Sequence, residues 1–365
     1  MSGADAKTEW ESYRRRELEG LVPVLKELGF SLEKEQPHTG GERYLMSGKK
    51  LVLLGVRDRD GKRAVIKASG NAEGSREITR EHDARRALAT VRFAYRLPLS
   101  PEELYFGRSG SYTIAVTAYL AEPKPFLVRP LEEQCMRALG AFKAQESVHA
   151  ATYGHARAVR KVFGLWHAGD YLRSFDAFRA SAAADAPDAP YLRDALSQAA
   201  AHLVQHQDDV ERYCGFLTHE DFALHNIRIA EDGVYLIDSA SLRFGNKYES
   251  WARFLNFMLL YNRPLEQALE RYVRDNRAPE EVLALRLMRI YKLGELLHYH
   301  ARAYALSSGN LKRLCGERLR FWTTVLDALL ADTPVPDETV ASYKRSRDAL
   351  RSDEEKQRQR ELRQL

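Results

Sequence analysis

Thr218-His219-Glu220-Asp221-Phe222-Ala223-Leu224-His225-Asn226, followed shortly by Val234-Tyr235-Leu236-Ile237-Asp238, is the stretch on which the reading of this chain turns. The runs Asn226 to Ala230 and Val234 to Asp238, joined by Glu231-Asp232-Gly233, predict a β-hairpin. The spacing H-x-D-x-x-x-x-N places Asp221 and Asn226 at opposite ends of a tight loop, and the hairpin returns Asp238 beside Asn226. Turn hydrogen bonds alone would account for Asp221 and Asn226. They would not account for a second aspartate at the far end of the hairpin.

Upstream, Trp10, Tyr13, Leu18, Leu21, Val24, Leu25 and Leu28 fall near a helical period over Thr8 to Leu28, and Gly29 takes the place of a C-terminal glycine. Arg43 to Met46, Leu51 to Arg57 and Arg63 to Ala68 are short apolar runs. Ser47-Gly48-Lys49-Lys50 and Asp58-Arg59-Asp60-Gly61 separate them, which predicts a three-stranded antiparallel meander. Glu73 to Thr90 reads as a helix, and strands Leu104 to Phe106 and Tyr112 to Leu120 flank Gly107-Arg108-Ser109-Gly110.

From Pro130 the period is mostly helical, over Glu132 to Gly154, Ala156 to Phe163, Tyr191 to Tyr213 and Trp251 to Tyr261. Ser181 to Pro190, rich in Ala, Asp and Pro, reads as a surface loop. The expected organisation is an N-terminal helix (1–29), a small lobe (30–121), a large lobe (122–335) and a charged tail (336–365). The class is α+β: a protein-kinase-like, two-lobed fold with a small antiparallel β-lobe, a larger mainly helical lobe and a nucleotide cleft between them.

Phosphoryl transfer to a hydroxyl needs a carboxylate that orients the hydroxyl and takes its proton. It also needs Mg2+ on oxygen ligands, to neutralise the β- and γ-phosphates. Asp221, Asn226 and Asp238 are residues of that kind. Lys67, in Ala64-Val65-Ile66-Lys67 on the third strand of the meander, is placed to hold the α- and β-phosphates. Glu81 on the next helix is its expected acidic partner, and Glu77, one turn earlier on the same face, is the rival. Ser47, Gly48 and Lys49 are the candidates for a turn covering the phosphates; Thr39-Gly40-Gly41 is richer in glycine but lies further upstream. Backbone groups of Ala118 and Leu120, at the end of the last small-lobe strand, are the candidates for the adenine edge.

Over Arg43 to Asn262 these motifs resemble the aminoglycoside phosphotransferase and choline kinase-like family, whose catalytic loop usually reads H-G-D-x-x-x-x-N with a metal-binding Asp on the next strand. The resemblance implies ATP and Mg2+, Asp221 as catalytic base, Asn226 and Asp238 as metal ligands, and His219 as a structural residue of the loop. It also implies a small-molecule hydroxyl acceptor: an amino sugar, a sugar, an amino alcohol or a similar compound. Glu220 stands where the family has Gly, His225 where a small residue or Pro is common, and Ser239-Ala240 follows the metal Asp without a Gly. Tyr248-Glu249-Ser250-Trp251-Ala252 replaces a Tyr-Asp-x-Ala stretch. These departures leave the acceptor open. Trp166, Asp170, Tyr171, Asp176, Glu249 and Trp251 are the candidates to line its pocket. A catalytically silent nucleotide- or partner-binding scaffold is the alternative, though such a protein need not keep Lys67, Asp221, Asn226 and Asp238 together. An ordinary protein kinase is disfavoured by the missing A-P-E segment.

Composition excludes other classes. A net charge of +5 over 365 residues is too small to argue for nucleic acid. The basic residues between Lys344 and Arg363 are nearly cancelled by Asp348, Asp353, Glu354, Glu355 and Glu361, so a solvated helix or a protein-partner segment is expected there. The run Trp251 to Tyr261 is too short to span a bilayer, so no membrane insertion is expected. Cys135, Cys214 and Cys315 are too scattered for a disulfide framework or a zinc site, which suits a reducing cytoplasm.

Overall fold

The computed structural model describes residues 3–45, 50–90, 98–150, 156–231 and 233–357. Helix α1 (Gly3–Glu27) ends at Gly29, whose φ of +79° is the left-handed conformation that a C-terminal glycine supplies. The chain passes directly into β1 (Phe30–Leu32) and, after an excursion, into β2 (Leu51–Arg57) and β3 (Arg63–Ser69). Helix α2 (Ala72–Thr90), β4 (Glu103–Ser109) and β5 (Tyr112–Ala118) follow. The strands form an antiparallel sheet in the order β1-β2-β3-β5-β4. Leu21 and Leu25 of α1 pack with Leu53, Ile66 and Ile114 on one face of it. Strand alternation then sends Lys67, next to Ile66, to the opposite face.

The predicted strand Arg43 to Met46 is not one. Gly41–Leu45 is a 3₁₀ segment, and Met46 lies outside the described residues. The apolar residue that suggested a strand is spent elsewhere: Leu45 is buried against Ala303 and Cys315 of the large lobe. The first strand of the meander is therefore β1.

The large lobe begins with α3 (Leu131–Glu146), α4 (Ala156–Phe163), α5 (Ala168–Asp185), α6 (Pro190–Gln205) and α7 (Gln207–Arg212). Then come β6 (Phe216–His219), the hairpin β7 (Ile227–Ala230) and β8 (Gly233–Leu236), and β9 (Leu242–Gly245), which pairs antiparallel with β6. Helices α8 (Glu249–Tyr261), α9 (Arg263–Asn276), α10 (Pro279–Leu306), α11 (Gly309–Leu330) and α12 (Asp337–Leu350) complete it. Its core gathers Phe254 and Leu255 of α8, Leu287 and Ile290 of α10, and Phe142, Phe175 and Phe222.

Three boundaries differ from expectation. The helix predicted over Glu132 to Gly154 stops at Glu146: Ser147 Oγ donates to the Ala144 carbonyl at 2.6 Å, and Val148 to Ala150 runs beside β6. The predicted loop Ser181 to Pro190 is largely ordered packing. Helix α5 continues to Asp185, and Ala182, Ala186 and Ala189 are buried, because small side chains let helices approach closely. The tail is not a free solvated helix, since Tyr343 of α12 stacks on Phe321 with ring centroids 4.1 Å apart. No helix among the described residues is long and apolar enough to cross a membrane.

Two features bring the lobes together. Ala84 of α2 shares an apolar cluster with Phe163, Leu217 and Phe244. Leu99, in the connection from α2 to β4, donates its N–H to Val234 O and accepts from Leu236 N–H, each at 2.8 Å, so the small lobe is tied to β8 two residues before Asp238.

Candidate active site

Each charged group is delivered to the cleft by a rigid element. Lys67 projects from β3, and α2 presents Glu81 to it with Nζ and Oε2 2.6 Å apart. Arg85, one turn on, donates to the other Glu81 oxygen at 2.9 Å and to Glu103 at 2.7 Å. Glu81 is thus fixed from both sides. Glu77, the rival partner, holds Lys50 instead. Lys50 is the residue that the sequence reading passed over. It is buried at the start of β2 and lies 3.9 Å from Asp238 Oδ1, while Lys67 lies 3.6 Å from the same oxygen. A single Lys after a turn carries no signal of this; only pairing with β3 and α2 makes it a cleft residue. Ser47, Gly48 and Lys49 lie outside the described residues.

Asp238 does not sit on the hairpin strand itself. It stands two residues past β8 with φ 63° and ψ 53°, a left-handed conformation that an aspartate tolerates better than most residues. Burial pushes its carboxyl up, but Lys67 and Lys50 outweigh that and hold it down at about 2. For Lys67, burial opposes the charge, and Glu81 and Asp238 outweigh burial, so its ammonium is held more firmly than usual. Among the described residues the buried Asp238 Oδ1 accepts no hydrogen bond; its neighbours are the ammonium groups of Lys67 and Lys50. An orphaned anionic oxygen in a cleft is the donor a hard cation would complete. Asn226 fits the same demand. Its amide N–H groups go to Asp221 O and Oδ2, both at 2.9 Å, leaving Asn226 Oδ1 without a partner among the described residues.

Asp221 follows β6 on a loop that is anchored at both ends. Ser250 of α8 takes the His219 backbone N–H at 2.8 Å and donates to Gln145 of α3 at 2.6 Å, and Phe222 is buried between Phe142 and Phe254. The carboxylate accepts from Arg253 Nε at 2.8 Å, from His225 Nε2 at 2.9 Å and from Asn226. Burial raises its pKa, but Arg253 and His225 prevail and keep it well below the usual carboxylate range. In the sequence Arg253 is only a charge inside the apolar run Trp251 to Tyr261, with no signal of this role. Helical spacing places it on the side of α8 next to the loop anchored by Ser250. The two Nη groups of Arg253 have no partner among the described residues. His219 is fully buried, and burial keeps its imidazole neutral.

The departures at Glu220 and His225 are both accommodated. Glu220 turns to Arg243, which bonds it at 3.0 Å, also grips the buried Glu249 and stacks over Trp166 at 3.6 Å. His225 is one of the Asp221 donors. Of the expected acceptor-pocket residues, Trp251 is instead a core residue stacked on Phe142, and Tyr171 is buried with its hydroxyl on Glu249 at 2.7 Å. Asp170 closes a capping box at the start of α5, and Asp176 pairs with Arg179 at the surface. These four are taken up by packing, capping and pairing.

At the other end of the cleft, the Ala118 N–H is donated to Glu102 O at 2.8 Å, within the edge of the sheet. The Leu120 N–H has no hydrogen-bond partner among the described residues, so of the two amides it is the one left for a nucleotide base.

The fold resembles that of solved structures. An ADP-bound aminoglycoside phosphotransferase, APH(2'')-Ib, matches 78% of this chain and 92% of its own, at 11% identity and a TM-score of 0.53. A thermostable mutant of the aminoglycoside phosphotransferase APH(4)-Ia, in ternary complex with AMP-PNP and hygromycin B, matches 84% of this chain and 96% of its own, at 16% identity and a TM-score of 0.52. The fold is that of the aminoglycoside phosphotransferases. No family model matches the sequence, and no curated protein sequence does. Within this phosphotransferase fold, the cleft that carries Lys67, Asp221, Asn226 and Asp238 lies between the sheet and the hairpin.

Proposed function

We propose that the chain is an ATP-dependent phosphotransferase that moves the γ-phosphate to a hydroxyl of a small molecule. The observation that carries this reading is the convergence on Asp238: an ionised oxygen that accepts no hydrogen bond among the described residues, ion-paired at 3.6 Å with Lys67, which Glu81 fixes in turn. Bound Mg2+ would supply charge neutralisation on the β- and γ-phosphates. Asp238 and Asn226 are the residues to hold it, through Asp238 Oδ1, which accepts no hydrogen bond among the described residues, and Asn226 Oδ1. Lys67 meets the α- and β-phosphates, and the N–H of Leu120 meets the adenine edge. Asp221, pinned by Arg253, His225 and Asn226, orients the acceptor hydroxyl and takes its proton as the bond to phosphorus forms. A weakly basic carboxylate suffices, because proton transfer comes late in a loose transition state.

The charge beside the base is positive. A hydroxyl that reaches Asp221 also meets the open Nη edge of Arg253, while nearby Glu220 and Glu249 share Arg243, and Glu249 also lies 3.9 Å from Lys292. This favours neutral or anionic hydroxyl compounds over polycations.

The test is ADP release from ATP and Mg2+ across acceptors, above the water background. Asp221→Asn is expected to lower acceptor-dependent turnover about a hundredfold or more while nucleotide binding stays within a fewfold. Equal loss of both would remove Asp221 from the role of base.

A further inference from the structure

A second site lies on the back of the small lobe, outside the cleft. A cavity of about 810 Å³ opens between the first half of α2, the β4–β5 turn and the end of α4. Arg76 and Arg80 line it from α2, Arg108 from β4 and Lys161 from α4; Asp83 is the one acid. Four positive charges against one negative leave a surplus of three in one concavity. None of the five side chains, all of them exposed, has an ion pair or hydrogen bond among the described residues, whereas Lys67, Arg85 and Lys50 nearby are all paired. Like charges gathered without counter-ions repel, and a bound anion relieves the repulsion.

A second, independent feature points the same way. Thr113 of β5 forms part of the wall, is only 4% exposed, and its hydroxyl has no partner among the described residues. The residue is otherwise buried, so this hydroxyl can only open on the cavity, where a ligand could take it in place of water. Among the described residues no aromatic side chain lines the wall to offer a nucleobase a stacking surface. The volume falls in the small-molecule range.

We propose that this groove binds a small, soluble oligophosphate, a compound carrying two or more phosphate groups and little apolar surface. Such a ligand bridges α2 of the small lobe and Lys161 on α4 of the large lobe. It grips the helix whose opposite face holds Glu81 against Lys67, and so is placed to set the position of that pair. The binding claim itself is independent of the phosphotransferase reading.

The experiment is calorimetric titration of sodium tripolyphosphate into the full-length chain in magnesium-free buffer. Four variants are compared: Arg80→Ala/Arg108→Ala, Thr113→Val, Lys67→Ala, and Arg86→Ala, the last an exposed arginine of α2 outside the groove. Thermal melting checks that each is folded. The expected result is one site whose affinity falls about tenfold or more in the double arginine variant and severalfold in Thr113→Val. Lys67→Ala and Arg86→Ala should leave it unchanged. No binding to the wild type, a loss in Lys67→Ala instead of the groove variants, or an equal loss in Arg86→Ala overturns the proposal. So does binding to anionic vesicles or duplex DNA with none to free tripolyphosphate.

Discussion

Asp221 and Asp238 are both ionised well below the ordinary carboxylate range, for different reasons and with different consequences. Asp221 is held by Arg253 and His225. Removing the guanidinium in Arg253→Gln should let its pKa rise, so the acid limb of the kcat profile should move to higher pH, with Arg253→Lys partly restoring it. An unmoved limb would separate Arg253 from the base. Asp238 is held by Lys67 and Lys50 at about 2, against 3.8 ordinarily. Because the folded-state pKa is depressed, its stabilisation is complete above pH 4 and is lost as the pH falls toward 2. The shift corresponds to about 2 kcal/mol. Urea denaturation of wild type and Asp238→Asn without nucleotide should therefore differ by about that amount at pH 6 and converge near pH 2.

Among the elements, α8 and α12 do more than their composition advertised. Helix α8 supplies Ser250 to anchor the Asp221 loop and Arg253 to hold the carboxylate, three residues apart on one side of the helix. Ser250→Ala leaves the His219 N–H and Gln145 Oε1 buried without that partner, a cost of about 1–3 kcal/mol. It should show as a lower melting temperature together with reduced turnover. Helix α12 was expected to be solvated because few of its residues are apolar. Two apolar residues dock it, since Val340 and Tyr343 are both buried in the core and Tyr343 stacks on Phe321. Tyr343→Ala should cost about 3 kcal/mol in urea denaturation, and an unchanged midpoint would show that α12 contributes nothing to the fold's stability.

Across the whole molecule, the lobes are joined on two sides: by Leu99 against β8 and by Leu45 against Ala303 and Cys315. Burial raises the pKa of the Cys315 thiol, so it should react slowly with a thiol reagent while the part-exposed Cys135 reacts first. Leu45→Ala should speed Cys315 modification about tenfold, as peptide mapping would show. A rate that does not change would mean that Leu45 does not shield it.

Much of this architecture was legible because it rests on local signals. Strands β2 and β3, helices α2 and α4, and the hairpin that returns toward Asp238 follow from alternation, period and turn residues, each a property of neighbours in the chain. The motifs that hold Lys67, Asp221, Asn226 and Asp238 can also be read along the chain, and the structure gathers these residues at one cleft. Which acid met which lysine was a tertiary decision: Glu77 and Glu81 share a face of α2, and only the packing of that helix on the sheet sent one to Lys50 and the other to Lys67. The same holds for Leu45, whose hydrophobicity promised burial without saying against what, and for Arg253, a charge in an apolar run until α8 lay beside the loop. Sequence patterns encode which surfaces must be buried and where the backbone must turn. Partners across the cleft depend on distances between elements far apart in the chain, and those exist only after the core has packed.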